Sequence, residues 1–240
     1  MELAVIQHSP WEGPGRYLRQ AALERGVSLT LIRAWERKFP DPRAFSGFIF
    51  LGGSAGVHEE KRYPFLQMEK EYLKKRILET DQPCLGICLG HHLLAEAFGA
   101  RVGPNFCSSI GACETLLTEA GRNHPVFSGF TRRFPTFKWH GQAVIPPLPN
   151  YFEILATSKE CQVEAFSIAA RPYVIGIQFD NHAAHPDDVR RWYARDKIWL
   201  DSVYPLHISI EELIEKIRKV NSLFLHDFSL LFSNFVELCH

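Results

Sequence analysis

The feature that most constrains the fold is a cysteine between two glycines, at the boundary of a strand pattern and a helix pattern. Residues 86–90 read Gly-Ile-Cys-Leu-Gly, with Cys88 at the centre. The short apolar run at 83–88 predicts a buried strand, and the pattern at 90–98 predicts a helix. A turn this tight strains its central residue, and the flanking glycines avoid side-chain collisions. The segment therefore predicts an elbow with Cys88 at its tip.

The predicted elbow gives Cys88 a chemical role. The thiol would lie at the N-terminus of the following helix, where the dipole and free backbone N–H groups favour a thiolate. The N–H of Leu89 could also stabilise an oxyanion. A buried cysteine in a glycine-rich turn is the structural alternative, but the adjoining strand and helix argue against it. We therefore predict Cys88 as a catalytic nucleophile.

Strand and helix patterns alternate along much of the chain. Short apolar strands separated by helices predict a parallel sheet covered on both faces. Between 102 and 173, short extended runs rich in phenylalanine predict an antiparallel patch attached to that sheet. We expect an α/β protein with three layers, α/β/α, and a central, mostly parallel sheet. The predicted strands are 2–8, 27–32, 48–51, 83–88 and 174–179, and the predicted helices are 15–26, 63–80, 90–98, 187–199 and 210–238.

Composition and charge narrow the functional classes. The 27 lysines and arginines balance the 27 aspartates and glutamates, so charge gives no case for a nucleic acid or an acidic membrane surface. No apolar stretch approaches the roughly 20 residues that span a bilayer, and residues 1–10 do not resemble a secretory signal. The six cysteines are scattered, which is typical of free thiols in a reducing compartment. We predict a cytoplasmic protein that binds neither nucleic acid nor membrane.

The chain shows no linker, internal repeat or low-complexity segment. We expect one domain over residues 1–240, with a C-terminal helical extension at about 205–240. The last predicted helix, at 210–238, carries a long apolar stripe. Such a stripe is most often core, and its alternative is a homodimer or partner surface.

Four motifs together resemble the class I glutamine amidotransferase family. Gly86-Ile87-Cys88-Leu89-Gly90-His91 is similar to the family's nucleophile signature, and Phe50-Leu51-Gly52-Gly53-Ser54 is similar to its oxyanion loop. Lys138-Trp139-His140-Gly141 resembles the Trp-His-Gly-Asp stretch of the stand-alone, GMP-synthase-like glutaminase subgroup. Gly176-Ile177-Gln178-Phe179 matches the strand that runs into the family's His-Pro-Glu motif. The resemblance covers nearly the whole chain and implies a flavodoxin-like domain.

The resemblance also implies a mechanism. In the family, the cysteine thiolate attacks the side-chain amide of glutamine, ammonia leaves, and water hydrolyses the γ-glutamyl thioester. The backbone N–H groups of Gly53 and Leu89 would form the oxyanion hole. The ammonia would pass to a separate synthetase partner, and no cofactor is expected. Residues expected to contact the small-molecule substrate are Gly52, His92 and His140.

One family motif is degenerate in this chain. Where His-Pro-Glu is expected, the sequence has Asp180-Asn181-His182. An aspartate beside a thiol opposes thiolate formation, since like charge raises the cysteine pKa, and it relays protons poorly at neutral pH. Further departures at His92, Gln142 and Glu164 fall near the expected pocket. Their clustering suggests a changed or lost site.

Several readings of the degenerate motif remain open. His182, or less favourably His185 in His185-Pro186-Asp187, could serve as the base with Asp180 in the site. The chain could instead be an inactive binding or regulatory relative that keeps the fold, or hydrolyse another amide with the same thiol. Asp180, His182 and His185 are acceptable metal ligands by type, but their spacing matches no recognised zinc motif. We therefore expect no metal.

Overall fold

The computed structural model describes residues 1–77, 79–203 and 209–239. Within these residues, nine strands form one mixed sheet in the order β2-β1-β3-β4-β9-β8-β7-β5-β6. Their bounds are β1 (Glu2–Gln7), β2 (Ser28–Arg33), β3 (Gly47–Phe50), β4 (Cys84–Ile87), β5 (Arg101–Leu117), β6 (Arg133–Ile145), β7 (Phe152–Thr157), β8 (Ala165–Ile168) and β9 (Arg171–Ile177). Strands β2, β1, β3, β4 and β9 are parallel, and the remaining four extend the sheet by antiparallel pairing.

Six α-helices cover the sheet in the described part of the chain. They are α1 (Gly15–Glu24), α2 (Phe65–Tyr72), α3 (Leu89–Ala97), α4 (Glu119–Asn123), α5 (Pro186–Val203) and α6 (Ile210–Glu237). One core cluster joins one face of the sheet to α1, α5 and α6, and a second joins the opposite face to α2 and α3. Because helices cover both faces, every residue of β3 and β4 is buried.

The fold class predicted from the sequence is confirmed. Helices lie on both sides of the sheet, the five adjacent strands from β2 to β9 in the sheet order are parallel, and the predicted antiparallel patch forms β5 to β8. The predicted helix at 63–80 is shorter than expected: α2 is followed by a π-helical turn, Leu73–Ile77. Residue 78 of that prediction, and residues 205–208 and 240 of the predicted extension, lie outside the described residues. No helix in the described ranges is long and apolar enough to cross a membrane.

The parallel strands bring the sequence motifs to one edge of the sheet. β1, β3, β4 and β9 run in the same direction, so their carboxyl ends lie together. His8 and Cys88 directly follow β1 and β4, Gly52 comes two residues after β3, and Asp180 comes three residues after β9. Ligands of open parallel sheets bind at the carboxyl ends of the strands. The topology therefore collects these four residues at the edge where a site is expected.

Candidate active site around Cys88

Cys88 forms the predicted elbow between β4 and α3. Its backbone has φ 51° and ψ −104°, in a region that residues with a side chain seldom occupy. The strain is held in place by hydrogen bonds on both sides: Cys88 N–H donates to the Ile177 carbonyl at 2.9 Å, and Gly90 N–H donates to the Leu51 carbonyl at 3.1 Å. Strain of this kind persists only where the surrounding structure fixes it.

The two glycines of the elbow are sterically required. A Cβ atom at Gly86 would lie 2.4 Å from the Gly90 carbonyl oxygen, and a Cβ at Gly90 would lie 2.2 Å from the Phe50 carbonyl oxygen. Both obstacles are backbone atoms that cannot rotate away. The glycine pattern in the sequence is therefore explained by close contact between the turn, α3 and β3.

Asp180 flanks the cysteine. A Cβ atom built on Gly52 would lie 3.3 Å from Asp180 Oδ1 and 3.5 Å from Cys88 Cβ, so the carboxyl group and the cysteine border the same small space. Asp180 is 1% exposed and Cys88 is 9% exposed. Neither carboxyl oxygen of Asp180 has a hydrogen-bond partner. The structure thus places an acid beside Cys88.

The surroundings of Cys88 favour a neutral thiol. Burial raises the thiol pKa well above its ordinary value of 9.0, and the carboxyl groups of Asp180 and Glu12 raise it further. A hydrogen bond from the Leu89 backbone N–H acts in the opposite direction but is outweighed. Burial also raises the pKa of Asp180 well above its ordinary value, with Glu12 and Glu164 adding to the effect. Both shifts favour the protonated forms of the two groups.

The two candidate base histidines contact side chains other than Cys88. The ring of His182 packs between Trp192 and Phe228, with centroid distances of 6.2 and 6.0 Å. Burial lowers the pKa of His182 to about 3, so this ring stays neutral near pH 7. The ring of His185 instead contacts Arg16, at 3.2 Å, and Tyr17.

The two predicted oxyanion donors are neighbours. A Cβ at Gly53 would lie 3.0 Å from Leu89 Cδ2 and 2.8 Å from the Cβ atom of His8, so Gly53 lies between these two side chains. The Leu89 N–H reaches the sulfur of Cys88. Gly53 thus borders the Leu89 side chain, and the Leu89 N–H is at the thiol.

The three residues predicted to contact substrate differ in their surroundings. Gly52 adjoins Cys88 and Asp180. His92 Nε2 is 2.8 Å from Gln178 Oε1, and His140 Nδ1 is 2.9 Å from the Gln142 carbonyl oxygen. Burial lowers the pKa of His92 to about 4 and that of His140 to about 3. Both rings are therefore neutral, and His140 Nε2 is without a protein partner.

Two polar pairs beside the elbow were missed by the sequence analysis. His8 Nε2 is 2.8 Å from Glu69 Oε1, and the Ser54 hydroxyl donates to Glu12 Oε1 at 2.5 Å. Burial raises the pKa of Glu12 to about 7. The position of His8 at the end of a buried strand is the signal that could have found it, since that end faces the site.

In the ranges that the structure describes, no group of three or more histidine, cysteine or acidic residues is arranged to hold a metal ion.

Known proteins resemble this chain in sequence and in fold. The sequence model of the family "glutamine amidotransferase class-I" matches residues 15–189. A GMP synthase (glutamine-hydrolysing) from Thermomicrobium roseum is 36% identical over 139 residues, which are 58% of this chain and 24% of that protein. The chain therefore spans about a quarter of that relative.

For two further relatives, the match covers a larger share of the relative's own length. A GMP synthase (glutamine-hydrolysing) subunit from Pyrococcus abyssi is 31% identical over 153 residues, covering 62% of this chain and 74% of that protein. The crystal structure of a glutamine amidotransferase from Thermotoga maritima superposes with a TM-score of 0.85 at 25% identity, covering 98% of both chains.

Proposed function

Because the chain belongs to the class I glutamine amidotransferase family, we propose that it binds glutamine, or another γ-glutamyl amide, at Cys88 and turns it over slowly on its own. The observation that carries this proposal is the buried carboxyl of Asp180, which borders the cysteine where the family motif has histidine. The strained elbow and the close backbone of Gly53 and Leu89 support retention of the pocket.

The proposed reaction needs a proton carrier at two steps. The Cys88 sulfur attacks the amide carbon, the C–N bond breaks, and the nitrogen takes a proton and leaves as ammonia. Water then cleaves the γ-glutamyl thioester, which regenerates the thiol and releases glutamate. An imidazole carries both protons because its ordinary pKa is near neutrality. Asp180 is a poor substitute, since burial favours its protonated form and its carboxylate opposes thiolate formation.

In this proposal the remaining site residues keep binding roles. The N–H groups of Gly53 and Leu89 hold the amide oxygen as it becomes negative, because backbone donors already in place stabilise that charge without reorganisation. Gly52 leaves room for the amide, and His92 and His140 offer neutral polar edges to the γ-glutamyl group. His182 is a packed, neutral side chain, and Asp180 is the group that limits turnover.

We also propose a synthetase partner that receives the ammonia. The Pyrococcus abyssi relative is named as one subunit of a glutamine-hydrolysing synthase, which supports this idea. Binding of such a partner could shift the pocket towards a reactive arrangement, in keeping with low activity of the isolated chain. We propose that residues 1–240 act as one domain in the cytoplasm. A homodimer is the alternative to assembly with a synthetase partner.

A non-catalytic binding or regulatory role is the second candidate. Burial favours the protonated forms of Cys88 and Asp180 and keeps the His182 ring neutral. These properties favour the second candidate, because they leave the pocket without an efficient proton carrier. The two candidates agree on ligand binding and differ in turnover.

Calorimetric titration with glutamine and γ-glutamyl methylamide, beside an assay of ammonia release, tests the proposal. We expect binding of at least one of these ligands, and release that is slow, removed by Cys88→Ala and insensitive to His182→Ala. Binding with no release above the Cys88→Ala background would favour the second candidate. Absence of binding, or fast release removed by His182→Ala, would overturn the proposal.

A further inference from the structure

His8 is a buried histidine whose two ring nitrogens both face oxygen acceptors. It follows β1 directly and is 4% exposed. Nε2 is 2.8 Å from Glu69 Oε1, and Nδ1 is 3.1 Å from the carbonyl oxygen of Gly52. Glu69 lies on α2 and is fully buried. The ring therefore connects α2 to the loop after β3, which carries the predicted oxyanion donor.

The carbonyl that His8 contacts belongs to the peptide unit whose N–H is that of Gly53. In a trans peptide the C=O and N–H bonds point in opposite directions, and Pro146-Pro147 is the cis peptide recorded in the described chain. A donor that holds the Gly52 oxygen therefore also fixes the direction of the Gly53 N–H, away from His8.

Close packing also restricts this loop. Even a Cβ atom at Gly53 would lie 2.8 Å from His8 and 3.0 Å from Leu89. A glycine pair is free to rotate its peptide, so an external hydrogen bond is needed to select one orientation.

We propose that His8, held by Glu69, is a positioning residue that aims the Gly53 N–H at the oxyanion formed on Cys88. The inference rests on the proposed function, because it assumes that the thiol reacts with an acyl group.

The protonation of the pair suits this role. Since Gly52 offers only a carbonyl oxygen, Nδ1 must carry the proton. That holds whether the second proton is on Nε2 or on the Glu69 carboxyl. Burial is the largest single influence and lowers the pKa of His8, but Glu69, the Gly52 carbonyl and Glu12 together raise it by more, so the net direction is upward. The charged groups facing His8 are Glu69 from α2 and Glu12 from the loop after β1, and both favour the protonated ring.

Two reactions of the same thiol separate positioning from general damage. Acylation of Cys88 by p-nitrophenyl acetate passes through a tetrahedral oxyanion, whereas alkylation by iodoacetamide displaces iodide and forms none. The ratio of the two rate constants cancels the fraction of thiolate. It is measured by mass spectrometry of the Cys88 peptide, with Cys88→Ala as the blank. The ester has no γ-glutamyl group, so this test is independent of glutamine binding.

Three variants give the expected pattern. His8→Asn keeps a side-chain N–H donor and should hold the ratio within about threefold of wild type. His8→Leu and the pair His8→Leu with Glu69→Leu lack a donor and should lower the ratio at least tenfold, since losing one oxyanion donor costs about 100-fold or more in related hydrolases. The paired change leaves no buried charge, which protects the fold.

The outcome is decisive in each case. A ratio that stays at the wild-type value in a folded leucine variant would overturn the proposal, as would an equal loss in His8→Asn. If the leucine variants do not fold, nitrogen-15 correlation spectra of the unmodified protein decide: a proton on Nδ1 of His8 supports the proposal, and a bare Nδ1 overturns it.

Discussion

Removing the charge of Asp180 should make the Cys88 thiol ionise at lower pH. Asp180→Asn keeps the size of the side chain and deletes only the carboxylate. Asp180 Oδ1 and Cys88 Cβ lie 3.3 and 3.5 Å from a common point at Gly52, so they are at most 6.8 Å apart, the sum of those distances. Two unit charges about 7 Å apart interact by roughly 2 kcal/mol at an effective dielectric constant near 20.

That interaction corresponds to between about one and two pKa units. Burial, the larger cause of the raised thiol pKa, is unchanged by the substitution. We therefore expect the pH midpoint of Cys88 alkylation to fall by about that amount and to stay above the ordinary thiol range. The assay is the rate of iodoacetamide labelling of the Cys88 peptide between pH 7 and 11.

A matched control separates this local effect from a change in net charge. Asp227 on α6 is another acid whose pKa burial raises, to about 6, and Asp227→Asn should leave the Cys88 midpoint unchanged. The reasoning would be refuted if Asp180→Asn left the midpoint unmoved or raised it, or if Asp227→Asn moved it equally.

Three further predictions concern stability. Folding raises the pKa of Asp180, so the unfolded chain ionises this group first and the protein loses stability as pH rises above about 4. Asp180→Asn removes this loss. In urea titrations it should raise the free energy of unfolding by about 1 kcal/mol or more at pH 8 and by less at pH 5. Gly90→Ala, whose new Cβ would lie 2.2 Å from a β3 carbonyl oxygen, should lower stability by about 3 kcal/mol, whereas Gly103→Ala, with its nearest neighbour at 3.7 Å, should change it little; equal losses would contradict the steric account. Lys138 and Glu164 are fully buried and 2.5 Å apart, so Lys138→Met should cost about 3–5 kcal/mol in chemical denaturation, and adding Glu164→Leu should recover most of it.

The sequence predicted the fold and the elbow well, because their signals are local. Short apolar runs bounded by turns located the parallel strands, and the glycines at 86 and 90 located the tight turn at Cys88. The same local information placed Asp180 just after the last parallel strand, so its position beside the cysteine followed from the topology.

The site features that could not be predicted from the sequence depend on contacts between distant segments. His8 and Glu69 are 61 residues apart, and neither belongs to a motif that links them. The orientation of the His182 ring depends on Trp192 from α5 and Phe228 from α6. The sequence does not show how those helices pack, so it could not predict the surroundings of this ring.

The most direct test of the central claim is to place a histidine at position 180 and measure ammonia release from glutamine. Asp180→His should be compared with wild type and with Cys88→Ala, both alone and together with His182→Glu. If the carboxyl is what limits turnover, wild type should be slow and a restored variant should release ammonia about 100-fold faster or more, as expected for a positioned general base. Rapid release by wild type that Asp180→His diminishes, or a folded restored pair with no gain, would contradict the account.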